Sequence, residues 1–575
     1  MILKKFLYSV LLFFVFFSLN ACREKESVMH DGTFTGVGVG RNDEIKVSIT
    51  ITDGMITDAK IISDKESPEI SGKAKEHILR RFIEDGETGN IDIVSGATIT
   101  SDGLLDALDA AVAQAKGTKI PQPKLNDVDC DIAIIGAGGA GLTAATEAAS
   151  KGAKVIVFEK LSIVGGNSNF STGGINAAYT KEQQRLGIKD STEVFFNDTM
   201  IGGKYLNDPD LVHTLVNQSA SIVEWLQSPL IGADLSDVGM FGGATNKRIH
   251  RPKGGGAIGE HLVPLLKKAA LAQGAEIRLK HKVVDITSDE GKASGLRIST
   301  GEGEYNVNAN AVIIASGGFG ANPDLITTYQ PTLAKFATTN HPGATGDAFS
   351  MVEKFNAALV QMEQIQTHPT VVVHTGIMIT EAVRGNGAIL VNHLGKRFVN
   401  EMETRDIVSN AILKSDGHTA FIIFNQNIRE SLKAIEEYTT VMISAQTISE
   451  LAKKIEVNPT ILEDTIKKYN AYVVKKIDPD FKRNPASMEK SLAEGPYYAI
   501  EIEPAVHHTM GGLKINTKAE VINKSGKPIP GLFAAGEVTG GVHGANRLGG
   551  NAVADYCIFG KIAADSAIEY VKSAQ

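Results

Sequence analysis

The chain has 575 residues, 43% of them hydrophobic and 22% charged, with 58 Gly and 18 Pro; this globular composition excludes wholesale disorder and collagen-like repeats, and the length suggests roughly three or four domains. A net charge of −8 without a long basic run excludes a nucleic-acid footprint. The three cysteines, Cys22, Cys130 and Cys557, are too few for a disulfide framework or a four-thiolate metal centre, and no C-x-x-C-H occurs for covalent haem, so redox chemistry needs another carrier.

The first 22 residues stand apart. Lys4 and Lys5 precede an apolar stretch from Phe6 to Leu19, and Leu19-Asn20-Ala21-Cys22 follows. A charged start, a short apolar run and a small residue before the break form an export signal. The run is too short to cross about 30 Å of hydrocarbon comfortably. Its ending resembles a bacterial lipobox, with Asn20 a departure from the usual small residue. This predicts a signal peptide over 1–21 and lipidation of Cys22, anchoring the chain at the extracytoplasmic face of the cell membrane without spanning it. A plain signal peptide is the alternative.

Residues 31–118 read as a small α+β unit. Alternation in Ile45-Lys46-Val47-Ser48-Ile49-Thr50-Ile51 and in Met55 to Ile62 predicts two paired strands. Ser101 stands at an N-cap position, and Leu104, Leu105, Leu108, Ala111 and Val112 follow with helical spacing. Just before lies Asp92-Ile93-Val94-Ser95-Gly96-Ala97-Thr98-Ile99-Thr100. It resembles the D-x-x-[ST]-G-A-T-x-T pattern of FMN-binding domains that carry their flavin covalently. The resemblance implies that a flavin transferase joins the FMN phosphate to Thr100. A helix N-terminus beside it would favour a phosphate; an ordinary polar loop with an N-cap is the other reading. A Pro- and Lys-containing linker over 119–127 follows.

The next segment has βαβ grammar. Asp131 to Ile135 is a buried-type strand, Gly136-Ala137-Gly138-Gly139-Ala140-Gly141 follows, Leu142 to Ser150 is helical, and Lys154 to Phe158 is a second strand ending in Glu159. Gly136 permits the tight turn, Gly138 admits a pyrophosphate, Gly141 allows close helix–strand packing, and Glu159 can hold a ribose hydroxyl. Further along stand Gly165-Gly166-Asn167-Ser168, Ser171-Thr172-Gly173-Gly174, the strand Ala311 to Ser316 ending in Gly317-Gly318, and Gly531 to Gly536 with Glu537 at its tip. In order, these resemble segments of the fumarate reductase/succinate dehydrogenase flavoprotein superfamily.

From residue 361 onward the resemblance narrows to the soluble, single-chain fumarate reductases of the flavocytochrome c type. It rests on His368-Pro369-Thr370, on Met378 to Gly387, on Gly395 to Glu401 with Arg405-Asp406, on His507 to Gly512, and on Gly544 to Ala552. In that family a haem domain comes first; here the FMN module takes its place. The resemblance implies an α/β fold: a Rossmann-like FAD-binding domain over 128–362 and 510–575, split by an α+β capping domain over 363–509. FAD is bound non-covalently. The contacts implied beyond the glycine loop and Glu159 are Lys160, Gly166, Asn167, Ser168, Thr172 and Gly173, then Gly317, Asp347, His507, Glu537, Asn551 and Ala552. Met240 is either a flavin neighbour or a core methionine.

The resemblance also implies the chemistry. A substrate with two carboxylates would meet the Arg547 fork with His508 at one end and His368 with Thr380 at the other, with Glu381 and Gly550 completing the site. Hydride from FAD reaches one alkene carbon, and Arg405 protonates its neighbour, fed by Glu381 and Arg384. Arginine is a weak acid, with a free pKa of about 12.5 or above, but the accepting carbon becomes strongly basic as hydride arrives. Electrons would come from a membrane or extracytoplasmic donor through FMN. His368 favours fumarate over urocanate. Reduction of acrylate or urocanate, or a non-catalytic electron-transfer lipoprotein, are the alternatives. No metal site is read.

Overall fold

The computed structural model describes residues 29–40, 44–64, 66, 68–88, 91, 98–117 and 125–574. The export signal with Cys22, the Asp92–Ala97 part of the FMN motif and most of the linker therefore lie outside the described residues. The chain divides into two compact units, Met1–Pro123 and Lys124–Gln575.

In the first unit the two alternating segments form the antiparallel strands Glu44–Thr52 and Met55–Ser63. A third strand, Gly32–Val39, lines the other edge of Glu44–Thr52. Ile45, Val47, Ile49 and Ile51 face one side, as a period of two demands, and are buried against Leu104, Ala107, Leu108 and Ala111. These last residues belong to the helix Thr98–Ala115. It begins three residues before the expected cap, so Ser101 is a buried helical residue and not an N-cap. Thr100 thereby sits in the first turn, where backbone N–H groups lack intrahelical partners.

The second unit holds two cores. The larger surrounds an eight-stranded sheet whose centre is parallel: Glu276–Arg278, Val155–Phe158, Val128–Ile135 and Gly303–Ile314, with Pro528–Ala534 on the far side of Gly303–Ile314. Buried on both faces, these strands read as nearly unbroken Ile, Val and Ala. Register matters most for function. Ile135, Phe158, Ile314 and Ala534 end their strands at one level. The residues that follow each strand, Gly136, Glu159, Ala315 and Ala535, therefore share one carboxyl edge, where open α/β sheets bind ligands. At the turn, Gly136 has φ 96°, and a Cβ on Gly141 would lie 2.0 Å from the Gly136 carbonyl oxygen. Only glycine allows this turn to meet the helix Gly139–Ser150 so closely.

The smaller core belongs to an antiparallel sheet of Ile365–Val372, Tyr497–Thr509, Ala420–Asn425 and Ile389–Val391, with Ile443–Ala445 paired to Tyr497–Thr509. Helices Arg405–Leu413, Ile448–Lys454 and Pro459–Lys475 pack into it through Val408, Leu451 and Leu462. The mixed helix–sheet architecture expected from the sequence is the one found. No described helix is long and apolar enough to cross a membrane.

Candidate active site

Two strands of the smaller antiparallel sheet deliver the histidines. His368 lies in Ile365–Val372, and His507 and His508 lie near the end of Tyr497–Thr509. The His368 and His507 rings meet edge to face at 5.0 Å. Burial, with Arg405, Arg384 and Arg547 nearby, holds His368 well below the usual imidazole range. Burial likewise depresses His507, reinforced by Arg405, and His508, reinforced by Arg547. All three rings are neutral at pH 7. Among the described residues, His368 Nε2 and both His508 ring nitrogens are buried without a hydrogen-bond partner.

Glu381 anchors the cationic part. Its Oε2 accepts from Arg405 Nε at 2.9 Å and stands 3.8 Å from Arg384 Nη2, while Oε1 accepts from the Gly242 amide at 2.6 Å. Burial alone would raise its carboxyl, but Arg405 and Arg384 outweigh that and lower it, so it stays ionised. Arg405 opens the helix Arg405–Leu413, and Arg384 lies in the single turn Ala382–Gly385. Burial brings Arg384 down to about 10 and, with Arg405 beside it, Arg547 down to about 9. Arg547 Nη1 donates to the Leu548 carbonyl at 3.1 Å, and its buried Nε has no partner among the described residues. Arg405 and Arg384 thus flank Glu381, while Arg547 feels Arg405 together with Glu537 and Glu381, and the gathered guanidiniums make a field that suits an anion.

Gln366 ties these groups together, and sequence reasoning missed it. Its Oε1 accepts from Arg405 Nη1 at 3.0 Å, and its Nε2 donates to the Arg547 carbonyl and to Asn546 Oδ1, both at 2.7 Å. A signal was present: Gln366 stands two residues before His368 in one strand, and positions i and i+2 share a face. Tyr438 was missed as well, and Thr370, although part of the His368-Pro369-Thr370 motif, was given no role. The Thr370 amide donates to His368 Nδ1, and the Thr380 amide donates to the Tyr438 hydroxyl at 3.0 Å. The Thr380 hydroxyl lies 3.5 Å from the Thr172 carbonyl oxygen. Met240 is buried, its carbonyl packed against Gly385 of the Arg384 turn.

The expected FAD residues gather at the carboxyl edge of the large sheet. Glu159 accepts from the Ala137 and Leu161 amides at 2.9 and 3.0 Å, and burial raises its carboxyl. Ser168 Oγ accepts from the Gly139 amide at 3.0 Å. Asn167 Nδ2 donates to Asn340 at 2.7 Å and lies 3.4 Å from Glu537, whose carboxyl burial also raises. Lys160 pairs with Asp347 at 3.0 Å. Asn551 Oδ1 and the Gly549 carbonyl both accept from Asn176 Nδ2 at 2.7 Å, and the Gly550 carbonyl accepts from the Asn176 amide at 3.2 Å. Ala552 lies in the first turn of the final helix, Asn551–Ala574. The buried hydroxyl oxygens of Thr172 and Ser316 have no partner among the described residues. A glycine turn at a helix start, an acid at the next strand tip and unpaired hydroxyls fit an FAD.

In the first unit, the buried Thr100 hydroxyl donates to Glu66 Oε2.

This arrangement defines a flavoprotein oxidoreductase. Residues 131–553 match the FAD binding domain family, and residues 40–113 match the FMN-binding domain. The "Fumarate reductase (cytochrome)" of Shewanella frigidimarina is 46% identical over 446 residues, 77% of each chain. The "NADH:fumarate oxidoreductase" of Klebsiella pneumoniae is 39% identical over 91% of this chain and 57% of its own length. The "Urocanate reductase" of Eggerthella lenta is 35% identical over 93% of this chain and 92% of its own. Among solved structures, the open conformation of a flavocytochrome c3 fumarate reductase superposes with TM-score 0.63 at 42% identity, covering 77% of this chain and 79% of that one. The chain belongs to the flavocytochrome c-type fumarate reductase family of FAD-dependent oxidoreductases, with an FMN-binding domain at its N-terminal side.

Proposed function

We propose that this chain reduces fumarate to succinate. The observation that carries the reading is the set of buried nitrogens on His368, His508 and Arg547 that have no hydrogen-bond partner among the described residues, around the Arg405–Glu381 pair. One carboxylate of the dianion takes Arg547 and His508; the other takes His368 Nε2–H and the Thr380 hydroxyl. Bound FAD supplies a hydride for one alkene carbon. Arg405 places a proton on the other. Its Nε and Nη1 are engaged by Glu381 and Gln366, so Nη2 is the atom assigned to delivery. Arg384, brought down by burial to about 10, then gives a proton to the ionised Glu381 carboxylate, which passes it on to Arg405, and a proton from solvent restores Arg384.

A second reading, urocanate reduction, draws on the Eggerthella lenta relative, which matches across both domains. Urocanate carries one carboxylate and would leave one of the two donor sets without an anion. Acrylate has the same shortfall. Steady-state oxidation of reduced viologen with fumarate, urocanate and acrylate in turn tests these readings. Turnover with fumarate at the highest kcat/KM supports the proposal. Turnover with none would leave a non-catalytic electron-transfer lipoprotein.

The FMN domain supplies a second flavin, attached at the Thr100 hydroxyl by a flavin transferase. The Asp92–Thr100 pattern supports that attachment. Export and lipid anchoring at Cys22 complete the reading, supported by the grammar of residues 1–22, and set the electron donor at the membrane or beyond it.

A further inference from the structure

Behind the Arg405–Glu381–Arg384 row lies a second buried charge cluster. Glu401 Oε1 accepts from Arg397 Nε, and Oε2 from Arg397 Nη2, both at 2.7 Å; Oε2 also accepts from Arg483 Nη1 at 3.2 Å. Arg397 reaches on to Asp478 at 2.9 Å. The side chains of Glu401 and Arg483 are wholly shielded from solvent. So much buried charge demands close pairing, and here the pairs are close.

Among the described residues, the cluster's hydrogen bonds to the row all meet at Arg384. Arg384 Nη1 donates to the Glu401 carbonyl at 2.6 Å. Arg483 Nη2 donates to the Arg384 carbonyl, and Nη1 donates to the Ala388 carbonyl at 2.9 Å. Arg384 is thus gripped by both its side chain and its main chain. It needs the grip. A four-residue turn holds few internal bonds, and its Arg384 carbonyl already accepts from the Gly387 amide at 3.1 Å. The Arg483 guanidinium adds a second, charged donor to that carbonyl and opposes the negative end of the turn's dipole. The Arg384 Nε and Nη2 atoms have no hydrogen-bond partner among the described residues, so its standoff from Glu381 is set from behind.

We infer that Arg483 and Glu401 are positioning residues for proton resupply: Arg483 fixes Arg384 through its carbonyl, and the Glu401 carboxylate, by anchoring Arg483 and Arg397, holds its own main-chain carbonyl against Arg384 Nη1. The inference rests on the relay reading given under the proposed function. Neither residue belongs to those assigned above to substrate or flavin, and both side chains are fully buried, so they should govern kcat and leave KM alone.

The test is a double-mutant cycle on the full chain with both flavins loaded, read with saturating reduced viologen and varied fumarate. Arg483→Lys keeps a cation but has three donors for the five acceptors that Arg483 reaches: Glu401 Oε2, Ser487 Oγ and the Ala388, Arg384 and Ser487 carbonyls. It is expected to lower kcat about tenfold with KM within about twofold, and to raise the solvent deuterium isotope effect on kcat. Arg384→Met alone is expected to lower kcat about a hundredfold. In that background Arg483→Lys should change kcat by less than about twofold, because the group it positions is gone. If Arg483→Lys does not yield folded protein, the isosteric Glu401→Gln is carried through the same cycle, with the same result expected. Equal fractional losses in both backgrounds would make the cluster scaffolding and overturn the inference, as would no loss of kcat in folded Arg483→Lys. Full activity in Arg384→Met would instead overturn the relay itself, a distinguishable failure.

Discussion

The Thr370 amide donates to Nδ1 of His368 at 3.3 Å, which leaves the neutral ring's proton on Nε2. That Nε2–H is buried and has no partner among the described residues. It is a donor waiting for an acceptor, the polarity a substrate carboxylate requires. Replacing it, His368→Ala, should raise KM for fumarate about tenfold or more, since a buried hydrogen bond to a charged group contributes about 1.5–3 kcal/mol. Steady-state kinetics on FAD-loaded enzyme would show this; an unchanged KM would remove His368 from the carboxylate site.

The same burial couples stability to pH. His368, His507 and His508 all have folded pKa values depressed below the ordinary 6.5. Below that value the unfolded chain takes up protons that the native rings refuse. Their contribution is therefore complete above pH 6.5 and is lost as pH falls from there towards the depressed native values. Tm measured from pH 8 to pH 5 should hold level and then drop once pH passes below about 6.5. A level Tm down to pH 5 would contradict neutral burial of these rings.

How much of this was legible in sequence depends on how local each signal is. Gly136, Gly141 and Glu159 could be read because a turn, a helix start and a strand tip lie within two dozen residues. The cradle could not be assembled that way. His368 and Arg547 are brought together only by the fold, and their recognition came from resemblance. Gln366 escaped because a glutamine carries no motif; its meaning arises when the chain returns 181 residues later and sets the Arg547 carbonyl against its amide. Ser101 misled for a simpler reason. A serine before an apolar helical pattern satisfies the N-cap rule, yet Thr98 to Thr100 are helical too.

Arg547 should impose an alkaline limb on turnover. Burial, with Arg405 adding its charge, brings it down to about 9. Above that pH it loses its proton and with it the attraction for a carboxylate. The sign is fixed: kcat/KM for fumarate should be level from pH 7 to 8 and fall as pH rises through about 9. Arg547→Lys should lose the two-pronged grip and raise KM even at pH 7. A kcat/KM profile that stays flat to pH 10 would show that Arg547 keeps its charge or does not hold substrate.

Thr100 offers the sharpest separation of the two flavin sites. Its hydroxyl is buried in the first turn of the Thr98–Ala115 helix and donates to Glu66. Thr100→Ala removes the oxygen that would be joined to the FMN phosphate while leaving a good helix former in place. Intact-mass measurement on chains co-produced with a flavin transferase should show one FMN-sized addition on the parent and none on the variant. FAD content and viologen-driven fumarate reduction should survive, because reduced viologen can reach the FAD domain directly. Activity driven by a physiological donor should fail. An addition that persists in Thr100→Ala would move the attachment point elsewhere. Loss of viologen-driven activity in a folded, FAD-replete variant would mean that the first domain does more than carry electrons.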